Sequence, residues 1–273
     1  MSLKVEAEGI ISKAREEGRN FLLEPEAKRL CALYGLPVTR FEVAKSEDEA
    51  VEAAERIGYP IVLKVVSPQI LHKSDVGGVI INLRDEEEIR EAYRRIHENV
   101  KSRVPEAVIE GILVQEMAPS STEVIVGAIK DPTFGPTIMF GLGGIFVEIL
   151  RDVSFRLVPI ERVDAEEMIR EIRAYKILEG ARGLPKADKE TLIEILLKTS
   201  DMLMELPEIS ELDLNPIMVY EKGAKIVDAD NPGEGLGRKM GEKPLLQGPD
   251  ARTQPQIIAE GLQSHLEARH RSR

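Results

Sequence analysis

Cysteine occurs once in the 273 residues, and a lone Cys31 excludes both a disulfide framework and a cysteine-based zinc site. It stands in a helical apolar pattern with Leu30 and Leu33 and reads as core. Positive charge is short as well: 37 Lys and Arg against 48 Asp and Glu leave a net charge of -11. That balance argues against non-specific binding to nucleic acid or to an anionic membrane. Any phosphate site must therefore be a local gathering of positive groups. No apolar stretch is long enough to span a bilayer. The opening MSLKVEAEGIISKAREEG lacks the apolar segment of a secretory signal, so the protein is expected to stay where it is made, in the cytoplasm. A GxxxxGK phosphate loop, a serine nucleophile elbow and an HExxH zinc motif are all missing. Glutamine is scarce before residue 230, where only Gln69 and Gln115 occur, and with abundant Glu, Lys and Arg this resembles thermophile usage.

What is there centres on residues 61–80. Ile61–Val66 is a β-branched apolar run bounded by prolines and reads as a buried strand, interrupted by Lys64. An ammonium at sheet depth is costly unless an anion meets it. The loop that follows carries His72, Lys73, Ser74 and Asp75 and then the pair Gly77-Gly78. Glycines allow close backbone approach, and successive N–H groups form an anion nest. Lysine, histidine and paired glycines together point to phosphate handling. The plainer alternatives are a snorkelling lysine and a histidine that caps a turn.

Along the chain, residues 4–17 and the segment opened by Glu24-Pro25-Glu26 read as helices, and Val38–Ala44 as a strand. Ser46 and Glu49 form a capping box for a helix that stops at Gly58. Val79–Leu83 pairs with the lysine strand as a hairpin, and Asp85 caps a long helix through Lys101. His97 on that helix reads as a solvated face residue. Ile112–Met117 is a further buried strand; the segments 123–129, 137–140 and 155–158 follow as strands, and helices are expected at about 164–174 and 188–205. Ser210–Ile217, Met218–Tyr220 and Lys225–Asp228 complete the pattern. Strands and helices mix without strict alternation, which predicts an α+β protein of two lobes, 1–117 and 118–230, with a hinge near 115–119.

Two clusters carry carboxylates. Asp213 and Asn215 alternate onto one strand face, and the Lys222-Gly223 turn brings Asp228 beside Asn215. Oxygen ligands from neighbouring strands suit Mg²⁺; the alternative is a polar strand edge with Asn215-Pro216 as a turn. Glu148, Arg151 and Asp152 flank the Gly143-Gly144 loop and read as a solvated face or a mobile flap. Residues 231–273 hold seven Lys/Arg against five Asp/Glu and few apolar residues, which reads as a disordered or loosely docked extension. Gly233-x-Gly-x-Gly237 has no strand-to-helix setting and carries no dinucleotide signal.

The order of motifs is specific. The strand lysine is followed by His72-Lys73-Ser74-Asp75-x-Gly77-Gly78, Val114-Gln115-Glu116-Met117 and Thr122-Glu123-Val124. Gly141-Leu-Gly-Gly-Ile-Phe-Val-Glu148, Asp213-Leu-Asn-Pro216 and Val227-Asp-Ala229 come after. Over roughly 5–229 the chain resembles the ATP-grasp β subunit of ADP-forming acyl-CoA synthetases (acetate–CoA ligase, ADP-forming), relatives of succinyl-CoA synthetase. The resemblance implies an ATP-grasp fold with nucleotide held between two lobes. It implies that Lys64 contacts the nucleotide phosphates, that the backbone of Gln115, Glu116 and Met117 reads adenine, and that Glu123 lies near the ribose. It implies Mg²⁺ on Asn215 and Asp228, an orienting role for Asp213, and His72 as phosphoryl carrier, with ATP/ADP as the nucleotide. The expected partner is a CoA-binding α subunit carrying a phosphohistidine, in a hetero-oligomer. Two other readings remain open at this point: a regulatory nucleotide-binding ATP-grasp domain, and an ATP-grasp carboxylate–amine ligase.

Overall fold

Ile61–Val66 forms strand β2, and each of its six residues is buried, as the apolar run requires. The computed structural model describes residues 2–143, 152–181 and 185–230. The described chain divides into two units. The first gathers Leu23–Arg29 and Val38–Pro119; the second gathers the chain up to Leu22, Leu30–Pro37, and the chain from Ser120 on. The chain thus changes unit close to the expected hinge, but its beginning does not stay with the N-terminal lobe. Tyr34 Oη donates to Glu205 at 3.0 Å and the Ile226 N–H to the Pro37 carbonyl at 2.8 Å, which ties residues 34–37 into the second unit.

In the first unit a four-stranded antiparallel sheet runs β1-β4-β2-β3, with β1 at Phe41–Ala44, β3 at Val79–Leu83 and β4 at Gly111–Glu116. Ile61, Leu63 and Val65 of β2 pack with Ile112 and Val114 of β4 against helices α3 (Glu47–Ile57) and α4 (Glu86–Arg103). Alternation sends Lys64 and Gln115 to the opposite face. There stands the start of α2 (Glu24–Leu33), which follows α1 (Leu3–Glu16). Both α3 and α4 begin alike. Ser46 Oγ and Asp85 Oδ1 accept from the Glu49 and Glu88 N–H groups at 3.2 and 2.9 Å. The Glu49 and Glu88 carboxylates then accept from Lys45 and Arg84, one residue beyond the cap position of the expected box.

The second unit is built on a six-stranded antiparallel sheet. Its order is β10-β8-β5-β6-β7, with β9 also paired to β8. The strands are β5 (Thr122–Asp131), β6 (Gly135–Leu142), β7 (Val153–Leu157), β8 (Glu211–Val219), β9 (Ala224–Ile226) and β10 (Ala229–Asp230). Helices α5 (Arg162–Glu171), α6 (Tyr175–Leu178) and α7 (Lys189–Glu205) lie between β7 and β8 in the chain. The alternative of a turn at Asn215-Pro216 is set aside, because β8 runs through it. Val124 and Val126 of β5 face Ile217 and Leu214, a register shift that accommodates the proline, which cannot donate to the ladder.

Candidate functional site

The anion that meets Lys64 comes from the protein itself. Glu24, first residue of α2, places Oε1 at 2.8 Å from Lys64 Nζ and Oε2 at 3.0 Å from Lys73 Nζ, with Lys28 Nζ at 3.8 Å. Glu24 and Lys64 are only 4% and 5% exposed and Lys28 is fully buried, so these charges interact with little screening by water. Burial pushes the Glu24 carboxyl up, but Lys64, Lys73 and Lys28 outweigh it and hold the group down at about 2. Lys28 also donates to Thr39 Oγ1 at 2.7 Å and to Gln115 Oε1, and lies over the Phe41 ring. Sequence reasoning passed over Glu24 and Lys28 as site residues. Their i,i+4 spacing was the available signal.

His72 is exposed in the loop between β2 and β3. The glycine pair does not form the expected anion nest. The Gly77 N–H donates to the Ser74 carbonyl at 3.0 Å and the Gly78 N–H to the Lys73 carbonyl at 2.7 Å, so both amides close the loop on itself. Glycine is needed here for space and turn geometry. Gly77 has φ +64°, and a Cβ on Gly78 would come within 2.5 Å of Val65 Cγ1. Asn99 Nδ2 holds the Gly77 carbonyl at 3.0 Å, and Arg103 Nη1 holds that of Asp75 at 2.6 Å. His97, the other histidine of α4 and this loop, stacks on Tyr93 at 4.5 Å with Nδ1 at 2.9 Å from the Tyr93 carbonyl.

Gln115 and Glu116 end β4, with Met117 beyond. The Glu116 and Met117 N–H groups donate to the Arg40 and Pro60 carbonyls, each at 3.0 Å, so these two donors serve the fold and not a base. The Glu116 carboxylate accepts from Arg40 N–H at 2.8 Å and Nε at 3.2 Å. Glu123 on β5 is exposed, and its carbonyl accepts from the Gly143 N–H at 2.9 Å.

In the second unit, Asp213 and Asn215 are half-buried at alternate positions of β8. The Asn215 N–H donates to the Asp228 carbonyl at 3.3 Å, and Asp213 faces Asp230 across the β8–β10 pair. Asn215 and Asp228 are therefore neighbours, as the turn at residues 222–223 suggests. Asp188 braces that turn, accepting from the Gly223 N–H at 2.7 Å and the Thr191 N–H at 3.2 Å. The Gly223 N–H above all, against a smaller opposing effect of burial, lowers the pKa of Asp188. No group of three His, Cys, Asp or Glu with metal-binding geometry occurs among the described residues. Asn215 on β8 and Asp228, in the connection just before β10, are two neighbouring oxygen donors of the kind that suits Mg²⁺, which keeps several waters. Asp152 is not a solvated face residue: it is buried and accepts from the Arg173 and Ala174 N–H groups, both at 2.7 Å. Gly144, Glu148, Arg151 and the extension 231–273 lie outside the described residues.

Residues 13–230 match the family model described as an ATP-grasp domain. The acetate–CoA ligase (ADP-forming) I subunit beta of Pyrococcus furiosus is 55% identical over 229 residues, covering 84% of this chain and 98% of that protein. The chain belongs to the ATP-grasp beta subunits of ADP-forming acetate–CoA ligases.

Solved structures of such ligases agree in fold. The dinucleotide-forming acetyl-coenzyme A synthetase 1 of Ca. Korarchaeum cryptofilum, in complex with coenzyme A, Ca-AMPCP and HgCl+, matches with TM-score 0.80 at 56% identity. That match covers 81% of this chain and 97% of that one. The same enzyme with coenzyme A and Mg-AMPPCP, its phosphohistidine segment pointing towards the nucleotide site, matches with TM-score 0.74 at 50% identity. There the coverage is 82% of this chain and 98% of that one. Lys64, Lys73 and the His72 loop lie in the first unit of this ATP-grasp beta subunit, and Asp213, Asn215 and Asp228 lie in the second. No helix of the described residues is long and apolar enough to cross a membrane.

Proposed function

We propose that this chain is the nucleotide-binding subunit of a cytoplasmic ADP-forming acyl-CoA synthetase. It passes a phosphoryl group through His72 between a CoA-binding partner subunit, which carries its own phosphohistidine, and ADP. The observation that carries this reading is the buried carboxylate of Glu24, which joins the strand lysine to the loop bearing His72 in a chain so similar to a named beta subunit. A regulatory domain or a carboxylate–amine ligase has no use for a histidine on such a loop.

Lys64 and Lys73 present point charges to the nucleotide phosphates. Gly77 and Gly78 shape the loop and act through its geometry. With the Glu116 and Met117 N–H groups engaged, adenine is read through carbonyls of 115–117, and Glu123 takes the ribose. Asn215 and Asp228 offer oxygens to Mg²⁺, which when bound neutralises phosphate charge. Asp213 orients the phosphohistidine. In the last step the P–N bond to His72 breaks as a terminal oxygen of ADP bonds to phosphorus, and the released imidazole takes up a proton. Such transfer needs positioning and charge neutralisation above all.

The test is a radiolabelled phosphate chase through the reconstituted complex with His72→Ala. Label should stop on the partner's histidine while MgADP affinity stays within about threefold, equivalent to well under 1 kcal/mol. ATP synthesis at the normal rate by the variant would overturn the assignment.

A further inference from the structure

Glu24 touches three lysines, and two of them belong to different parts of the chemistry proposed above. Lys64 stands on β2; Lys73 is the residue after His72. Each takes its own oxygen of the carboxylate, at 2.8 and 3.0 Å. The carboxylate itself is 4% exposed, sits at the N-terminus of a ten-residue helix, and is fixed there by the burial of Lys28 one turn on. A buried carboxylate with two cations on separate oxygens fixes the distance between those cations. The other ties on the loop, from Asn99 and Arg103, grip backbone at residues 75 and 77, and the Gly78 N–H holds the Lys73 carbonyl at 2.7 Å, while the Lys73 ammonium meets the Glu24 carboxylate.

We propose that Glu24 is a positioning residue for phosphoryl transfer: by holding Lys64 and Lys73 from one carboxylate it sets where the His72 imidazole stands relative to the phosphate-binding lysine. The inference rests on the reading of His72 and Lys64 given above. It assigns Glu24 no contact with substrate. A misplacement of a reacting group by about 1 Å costs up to about a hundredfold in rate, so a loosened loop slows transfer while nucleotide binding persists.

The experiment follows label from γ-radiolabelled MgATP into the full-length chain, the reverse of the last step. The bond from the γ-phosphorus to the bridging oxygen breaks, a P–N bond to His72 forms, ADP leaves and a proton is released. Acid-labile, base-stable label in the wild type that is lost in His72→Ala establishes the underlying reading; label that survives in His72→Ala refutes it independently of Glu24. Given that control, Glu24→Gln should label about tenfold to a hundredfold more slowly with MgADP affinity changed by less than about threefold. Lys73→Gln should slow labelling as well and, because Lys73 also meets the nucleotide phosphates in the reading above, weaken MgADP binding, whereas the double variant should label no more slowly than the slower single one. Should Glu24→Gln lose its cooperative unfolding transition, Glu24→Asp, which keeps the charge but shortens the reach, takes its place with the same expectation. Labelling at the wild-type rate by the folded variant overturns the proposal. So do multiplicative effects in the double variant, and so does a loss of MgADP affinity in step with rate in Glu24→Gln.

Discussion

An ion cluster centred on a buried charge stands in each of the two units, and the two are inverted in charge. In the first unit one carboxylate, Glu24, is surrounded by Lys28, Lys64 and Lys73. In the second, one guanidinium, Arg156, meets Glu171 through two bonds of 2.8 and 2.6 Å and Glu167 through a third of 3.1 Å. Arg156 is buried, yet its glutamates are half exposed, so water shares their charge. A planar fork that fills its geometry with two parallel bonds has little left to offer a ligand. Lysines are compact point charges that accept an anion from many directions. The arginine cluster reads as a brace for α5 and β7, and the lysine cluster as machinery held by a brace.

Replacing the central cations should separate the two most sharply. Lys64→Met should lower phosphoryl transfer by about a hundredfold or more, the usual loss for one charge-stabilising donor. Arg156→Met should leave transfer within about threefold and lower unfolding free energy by about 2 kcal/mol. Single-turnover rates and urea midpoints on the same preparations decide it, and equal rate losses would dissolve the contrast. A smaller effect is expected at the other end of the chemistry. Asn215→Ala or Asp228→Ala should weaken ADP binding by about tenfold with magnesium present and leave metal-free ADP binding unchanged. Titration calorimetry with and without the metal reads this, and an equal loss in both conditions would remove the metal assignment.

The contrast extends to acid stability. Glu24 is held at about 2, against a usual carboxylate value near 4.3 in an unfolded chain. A depressed folded value means the contribution is complete above the unfolded value and is lost as pH falls from about 4.5 towards 2. Its full size is on the order of 3 kcal/mol. Wild type should therefore lose stability more steeply than Glu24→Gln across that window, followed as urea midpoints at successive pH values. Parallel slopes would mean that the lysines do not stabilise the charge.

Much of this was legible because it is local. The strand carrying Lys64, its hairpin partner, the caps at Ser46 and Asp85 and the closeness of Asn215 to Asp228 all follow from short-range pattern. The partner of Lys64 did not follow, since Glu24 lies forty positions upstream and only the packing of α2 on the sheet brings it there. The paired glycines looked like open donors because sequence says nothing about which carbonyls a loop turns inward. A turn at Asn215-Pro216 stayed open as the alternative because the bulge that admits the proline, two residues of β8 opposite Ile125 alone, shows only in the pairing with distant β5. Asp152 looked solvated for the same reason: the N–H groups it holds belong to Arg173 and Ala174.

Ile70 carries a consequence for His72. Its side chain is 5% exposed and packed in the core beneath α3 and α4, while Lys73 on the other side is pinned to Glu24 and joined to Gly78. The imidazole therefore hangs on a tether of Leu71 and His72 alone, with a reach of about 7 Å at full extension. Any longer excursion has to draw Ile70 out of its socket, exposing a side chain worth about 2 kcal/mol of burial. Left undisturbed, this histidine keeps to its post, and in the phosphoryl relay proposed above the remaining distance falls to the other donor.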